Sequence, residues 1–271
     1  MSTGERRKYT EVRRNVSPFP DTPLGMRLAL FSDIHGNLHA LQACLADAQA
    51  QGADRYAFLG DLVGYGADPG GVIDAVAAYL AKGAVAVRGN HDDAISGESA
   101  YMNSMARTAI AYTKRVLTHP QIEWLAHLPL MVREENRCLV HASAAVPEKY
   151  PYIDSPAAAA HCASAAECAY TFCGHMHDQR LYFAAASKRM TRFQPTPGIT
   201  VPMPPHRQWV VLVGSVGQPR DHDSRAAYAL FDRERAVITF FRVAYDHHAA
   251  AARIREVGLP EAIAYRIEHG I

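Results

Sequence analysis

A chain of 271 residues, 49% of them apolar, can bury the core of one large α/β domain or two small ones. Its formal net charge of +1 gives no overall field that would draw nucleic acid or a membrane surface. No run approaches the roughly 18 apolar residues of a spanning helix, and the N-terminal segment lacks the apolar core of a secretory signal.

Five cysteines (Cys44, Cys138, Cys162, Cys168, Cys173), odd in number and without a Cys-x-x-Cys pair, predict reduced thiols and a cytoplasmic protein. Cys162, Cys168 and Cys173 lie close together. Their irregular spacing around a predicted buried strand argues against a zinc cluster.

Residues 1–25 are polar, basic and then proline-rich, which predicts a disordered extension. A first strand spans 27–32. Leu38, Leu41, Leu45 and Ala48 recur at helical spacing toward Gly52. A second strand spans 55–59, and Val72, Val76, Ala77 and Leu80 mark a helix stopped at Gly83. A third strand spans 84–87. Strand and helix thus alternate, and such alternation predicts parallel strands with right-handed crossovers and a site at their carboxyl ends.

Residues 103–128 read as two helices parted by Pro120, with Ala106, Ile110, Val116, Leu117, Trp124 and Leu125 as core positions. A hairpin over 131–133 and 137–140 leads to His141. A short alanine-rich helix spans 157–166, and a buried strand spans 169–173. Strands follow at 180–183, 208–213, 227–231 and 237–242, then two terminal helices at 249–257 and 260–269. The proline-rich stretch 188–206 reads as an excursion or hairpin overhanging the site. The late strands suggest a second sheet packed on the first. We expect one domain over 26–271, with a helical insertion around 95–128.

Chemistry gathers where apolar runs end. Asp33-Ile34-His35-Gly36-Asn37 follows the first strand, Gly60-Asp61-Leu62-Val63-Gly64 the second and Gly89-Asn90-His91-Asp92 the third. His141 and Gly174-His175-Met176-His177 come later. The glycines suit tight turns or close backbone approach. Asn37 stands where it would cap a helix or face phosphate. Any one of these motifs is weak; the ordered series is not. The remaining histidines (His39, His119, His127, His161, His206, His222, His247, His248, His269) read as ordinary surface or core residues.

This series resembles the calcineurin-like metallophosphoesterase superfamily over roughly residues 26–245. Gly214-Ser215-Val216-Gly217-Gln218-Pro219-Arg220-Asp221 further resembles a bacterial branch that contains small phosphodiesterases and a few diadenosine-polyphosphate hydrolases. The resemblance implies a four-layer α/β/β/α sandwich of two mixed sheets. It also implies two metals: Asp33, His35 and His177 on the first, Asn90, His141 and His175 on the second, and Asp61 between them. A carboxylate can bridge because it has two oxygens. Imidazole with carboxylate favours Mn²⁺, Fe²⁺ or Zn²⁺ over Mg²⁺.

A hydroxide shared by the metals would attack phosphorus in line. The resemblance assigns His91 to the leaving-group side as general acid or stabilising cation, with Asp92 orienting its imidazole. Arg220, Arg88 and Tyr65 are candidates for contact with substrate, although either arginine could instead pair with a carboxylate. The expected substrate is a small-molecule phosphate ester or nucleotide, and a diester or dinucleoside polyphosphate in particular. Competing readings are a phosphomonoesterase and a non-catalytic metal-binding scaffold. The ligand set does not separate the first two, and discrimination is expected from the 103–128 helices and the 188–206 excursion.

Overall fold

The computed structural model describes residues 27–97, 102–184 and 189–271. The extension expected over 1–25 lies outside the described residues. Three strand–helix units open the fold: β1 (Arg27–Phe31) with α1 (Leu38–Ala50), β2 (Arg55–Phe58) with α2 (Pro69–Leu80), and β3 (Val85–Ala86) with α3 (Asn90–Ser96). β2 pairs in parallel with both β1 and β3, as crossover connections require. α3 has only 7 residues, too few for a periodicity to report, and was legible only as a motif.

α4 (Ser104–Val116) and α5 (His119–Ala126) fill the predicted helical stretch. They part where Thr118 caps α5 and Pro120 occupies its first turn, where no N–H is needed. Both helices place side chains (Ile110, Trp124, Leu125) in the core beneath α1 and α2, so they are not a separate cap over the site.

β4 (Met131–Glu134) and β5 (Arg137–Val140) form the hairpin; a 3-10 turn (Pro147–Lys149) and α6 (Pro156–Ala166) follow. Then come β6 (Tyr170–Cys173), β7 (Gln179–Ala184), β8 (Met190–Phe193), β9 (Thr200–Pro202), β10 (Trp209–Val213), β11 (Ala226–Asp232) and β12 (Val237–Val243). α7 (His247–Glu256) and α8 (Glu261–His269) end the chain.

Two mixed six-stranded sheets result, ordered β3-β2-β1-β11-β12-β9 and β4-β5-β6-β10-β7-β8. The period-2 alternation of β1 sorts its side chains: Leu28 and Leu30 face the second sheet, while Ala29 and Phe31 face the helices. Leu139, Phe172, Val211 and Val213 answer from the second sheet. The outer layers are unequal. The first sheet is covered by side chains from α1–α5, α7 and α8, and the second by α6. The architecture is the expected four-layer α/β/β/α sandwich.

The proline-rich stretch departs from expectation. β8 pairs with β7 at the edge of one sheet, and β9 pairs with β12 at the edge of the other. Prolines are tolerated there because an edge strand leaves one row of N–H groups unpaired. The described part of this stretch therefore lengthens two sheets and is not free to overhang as a hairpin.

The two sheets approach closely at Gly174. A Cβ on it would lie 1.7 Å from Ser32 Oγ and 2.5 Å from Asp33 Oδ2, across from β6 to β1. Gly174→Ala is expected to lower stability by about 1–3 kcal/mol through overpacking. Gly83→Ala, which meets open space at φ +92°, should cost only about 1 kcal/mol of backbone strain. Urea midpoints check this, and equal losses would contradict a close contact between the sheets.

Candidate metal centre

The seven side chains expected to hold metal follow the carboxyl ends of β1, β2, β3, β5 and β6, where the two sheets converge. Five of them sit in left-handed backbone: Asp33 (φ 52°), His35 (φ 51°), Asp61 (φ 52°), His175 (φ 67°) and His177 (φ 63°). Such conformations cost roughly 1–3 kcal/mol each in non-glycine residues. Backbone hydrogen bonds between the loops hold them. Asp33 N donates to Gly60 O at 3.1 Å, His35 N to Asp61 O at 2.9 Å and Gly36 N to Leu62 O at 2.9 Å. His175 N donates to Asp33 Oδ2 at 2.9 Å. All five left-handed residues here are Asp or His, types that enter this region more readily than most non-glycine residues.

Among the described residues, three groups of potential ligand atoms form, each with its atoms within 4.8 Å of one another: Asp33–His35–His177, His35–Asp61–His91, and Asp61–His141–His175. In the first, the Nε2 atoms of His35 and His177 are 3.2 Å apart, and Asp33 Oδ1 lies 3.3 Å from His177 Nε2. Asp33 Oδ1 is buried and makes no hydrogen bond. In the last, His141 Nε2 lies 3.1 Å from Asn90 Oδ1, 3.2 Å from His175 Nδ1 and 3.4 Å from Asp61 Oδ2.

Asp61 Oδ2 also stands 3.7 Å from His35 Nε2, so a single oxygen faces both outer groups. The other oxygen, Oδ1, accepts the backbone N–H of His91 at 2.8 Å. Gly89 makes this possible, since a Cβ there would lie 2.2 Å from Asp61 Oδ1.

The donors suit a cation. His35 Nδ1 faces Val63 O at 3.2 Å and His177 Nδ1 faces Gln218 O at 2.6 Å, so each Nδ1 carries the proton. Burial pushes both imidazoles well below their usual range and leaves them neutral. Their Nε2 lone pairs then confront each other and a carboxylate oxygen, an arrangement that a cation relieves. Carbonyl partners on the far nitrogens are the usual support of metal-bound histidine.

Other expected site residues divide. His91 is buried, and its ring centroid lies 4.8 Å from that of His35 and 4.7 Å from that of Tyr65. It therefore lies within the ligand cluster itself. Asp92 does not orient it. Asp92 Oδ1 accepts Leu62 N (2.9 Å) and Val63 N (3.2 Å), and Oδ2 accepts Gly89 N (2.9 Å). Asp92 thus ties the second metal loop to the third, while His91 Nδ1 makes no hydrogen bond.

Asn37 caps α1, its Oδ1 accepting Ala40 N at 3.1 Å, and its amide donates to Gly217 O and Tyr245 Oη. It is committed to structure. Arg88 is likewise committed, to Ala126 O at 2.6 Å and to Asp93 at 3.3 Å. Tyr65 and Arg220 do gather here: the Arg220 guanidinium lies 5.9 Å from the Tyr65 ring centre and donates to Gln218 Oε1 at 3.0 Å.

Sequence reasoning missed Ser215, whose hydroxyl donates to Asp33 O at 2.7 Å, and Gln218, whose carbonyl receives His177. It also missed Tyr150 and Tyr152, which pack on His141 and His175 (ring centroids 6.0 and 4.4 Å). Their place in the loop just past His141 was the available signal.

Histidines, aspartates and an asparagine converging at the strand ends of two packed sheets define a metallohydrolase-type centre. Residues 26–236 match the model of the calcineurin-like phosphoesterase superfamily domain, and the chain belongs to that superfamily. It is 30% identical over 246 residues to an uncharacterized protein of Methanocaldococcus jannaschii, covering 89% of this chain and 96% of that one. It superposes on the crystal structure of a metallophosphoesterase from Sphaerobacter thermophilus with a TM-score of 0.81 and 33% identity, covering 91% of this chain and 100% of the other. A hypothetical protein of Pyrococcus horikoshii OT3 shares the fold at a TM-score of 0.72 and 22% identity, over 90% of this chain and 98% of that one.

Protons compete with metal at His141. Burial disfavours its charge, but the facing Asp61 and Asp33 carboxylates override burial and lift it to about 9. Without metal, His141 therefore holds a proton at neutral pH, on the atom turned toward Asp61 and Asn90. Because the proton must leave, metal affinity is expected to rise about tenfold per pH unit between about pH 7 and 8.5, then level off above about 9. Titration of the metal-free protein at several pH values checks this; an affinity independent of pH would contradict it.

Proposed function

We propose that this chain is a binuclear metal-dependent phosphoesterase that cleaves phosphodiester or dinucleoside polyphosphate bonds. The observation that carries the reading is the single buried oxygen, Asp61 Oδ2, set between His35 at 3.7 Å and His141 at 3.4 Å. Asp33, His35 and His177 would hold one cation, Asn90, His141 and His175 the other, and Asp61 both. Two cations there would supply water of lowered pKa near neutrality and neutralise charge on the phosphoryl group.

The protein's own groups set the rest. Arg220 is the cation whose charge reaches His35, His91, His175 and His177. It is positioned to receive a phosphoryl oxygen, with Tyr65 beneath it. Arg88 is engaged elsewhere, so among the described residues the site presents little side-chain cation beyond Arg220. That suits a singly charged diester better than a monoester dianion or a multiply charged polyphosphate. The likeness of residues 214–221 to the phosphodiesterase branch supports the same choice.

Burial lowers the His91 imidazole, and the charges of His141 and Arg220 lower it further. His91 is then neutral at pH 7. In that state it serves the leaving oxygen by donating a hydrogen bond and is a poor reservoir for a whole proton.

Initial rates on bis-p-nitrophenyl phosphate and p-nitrophenyl phosphate, with Mn²⁺-loaded protein, test the reading. The diester is expected to be faster. A faster monoester would make the chain a phosphomonoesterase, and no rate on either with two metals bound would favour a non-catalytic scaffold. Asp61→Ala is expected to retain at most one metal per chain and no turnover; two retained metals would overturn the shared carboxylate. His91→Ala should keep both metals and lose kcat, on the order of 10²-fold or more, most with poor leaving groups. Loss of a metal in that variant would make His91 a ligand.

A further inference from the structure

The loop between β5 and α6 follows His141 and passes along the second ligand group. Two of its residues without glycine's freedom are left-handed: Val146 (φ 56°, ψ 58°) and Tyr150 (φ 49°, ψ 49°). A β-branched valine there is a genuine outlier, and such strain persists only when the surroundings hold it. Lys149 N donates to Val146 O at 3.0 Å and Tyr150 N to Pro147 O at 3.2 Å, closing the turn between them. The turn sets the Tyr150 ring edge-on to His141, at 6.0 Å between centroids and 71° between planes. Two residues on, Tyr152 stacks on His175 at 4.4 Å and 16° while 60% exposed.

The Tyr150 hydroxyl is buried yet makes no hydrogen bond. Leaving a buried hydroxyl unpaired is costly, and a tyrosine buried for packing alone usually finds a partner for its O–H. The charges of Asp93, Arg88, Asp92 and Asp61 are felt there. Arg88 and Asp93 are paired with each other, Asp92 with backbone N–H groups and Asp61 with His91 N, and none of these takes the hydroxyl. Burial raises this phenol, so it keeps its proton at neutral pH and remains a donor.

We infer that Tyr150 is a substrate-contacting residue whose hydroxyl donates a hydrogen bond to a non-bridging oxygen of the phosphoryl group held beside His141 and His175. This rests on the phosphoesterase reading and adds a contact to it. Tyr150, beside His141, and Arg220, beside Tyr65, would then both contact the phosphoryl group. A donor aimed at a non-bridging oxygen acts alike on esters with good and poor leaving groups, which separates it from His91.

Tyr150→Phe removes only the hydroxyl and keeps the ring. With Mn²⁺-loaded protein, the variant should bind the same metal complement and melt no lower than the parent, because an unpaired hydroxyl has been removed. Its kcat/KM on bis-p-nitrophenyl phosphate should fall roughly tenfold or more, the size of one hydrogen bond to a charged group. The same factor is expected on diphenyl phosphate, read as phenol release, and competitive inhibition by inorganic phosphate should weaken in parallel. Unchanged kcat/KM and phosphate inhibition would overturn the inference while leaving the phosphoesterase reading intact. No turnover by the unaltered protein with metals bound would overturn that reading, and this inference with it.

Discussion

A carboxylate with almost no access to water cannot remain charged unless its surroundings supply positive charge or hydrogen-bond donors. Asp61 is 1% exposed. Burial works against its ionisation, yet the positive charge on His141 holds it well below the usual carboxylate range. The architecture around it serves that end. Gly89 lets one backbone approach Asp61, His91 N satisfies one oxygen, and two sheets deliver imidazoles to the other. Left-handed turns at Asp33, His35, His175 and His177 aim their side chains into a volume that extended backbone would miss.

Much of this was legible in the sequence. Strand ends, helix periodicity and the ordered polar motifs foretold the parallel half of the first sheet, the hairpin before His141 and the residues that converge. Pairing across long separations was not legible. β11 lies beside β1 although almost two hundred residues part them, and both are fully or nearly fully apolar strands that would fit many neighbours. The proline-rich stretch misled because proline marks both loops and edge strands.

Side-chain roles near the site failed for a different reason. Asp92, Asn37 and Arg88 have the chemistry of catalysis and are spent on backbone groups instead. Which partner a polar side chain takes is decided by distances of tenths of an ångström, and spacing does not encode these. Tyr150 shows the converse: no motif marks it, yet its hydroxyl is among the few buried polar atoms that the fold leaves unpaired.

The donor atoms come from loops that begin at Asp33 and end at His177, three on one sheet's strands and two on the other's. A cation bound to them is therefore a removable cross-link. It would tie together segments whose encounter in the unfolded chain is entropically expensive. Its binding energy becomes folding energy, since the unfolded chain offers no such set of donors. Metal supply would thus govern how firmly the two halves of the sandwich hold together as well as whether the site can work.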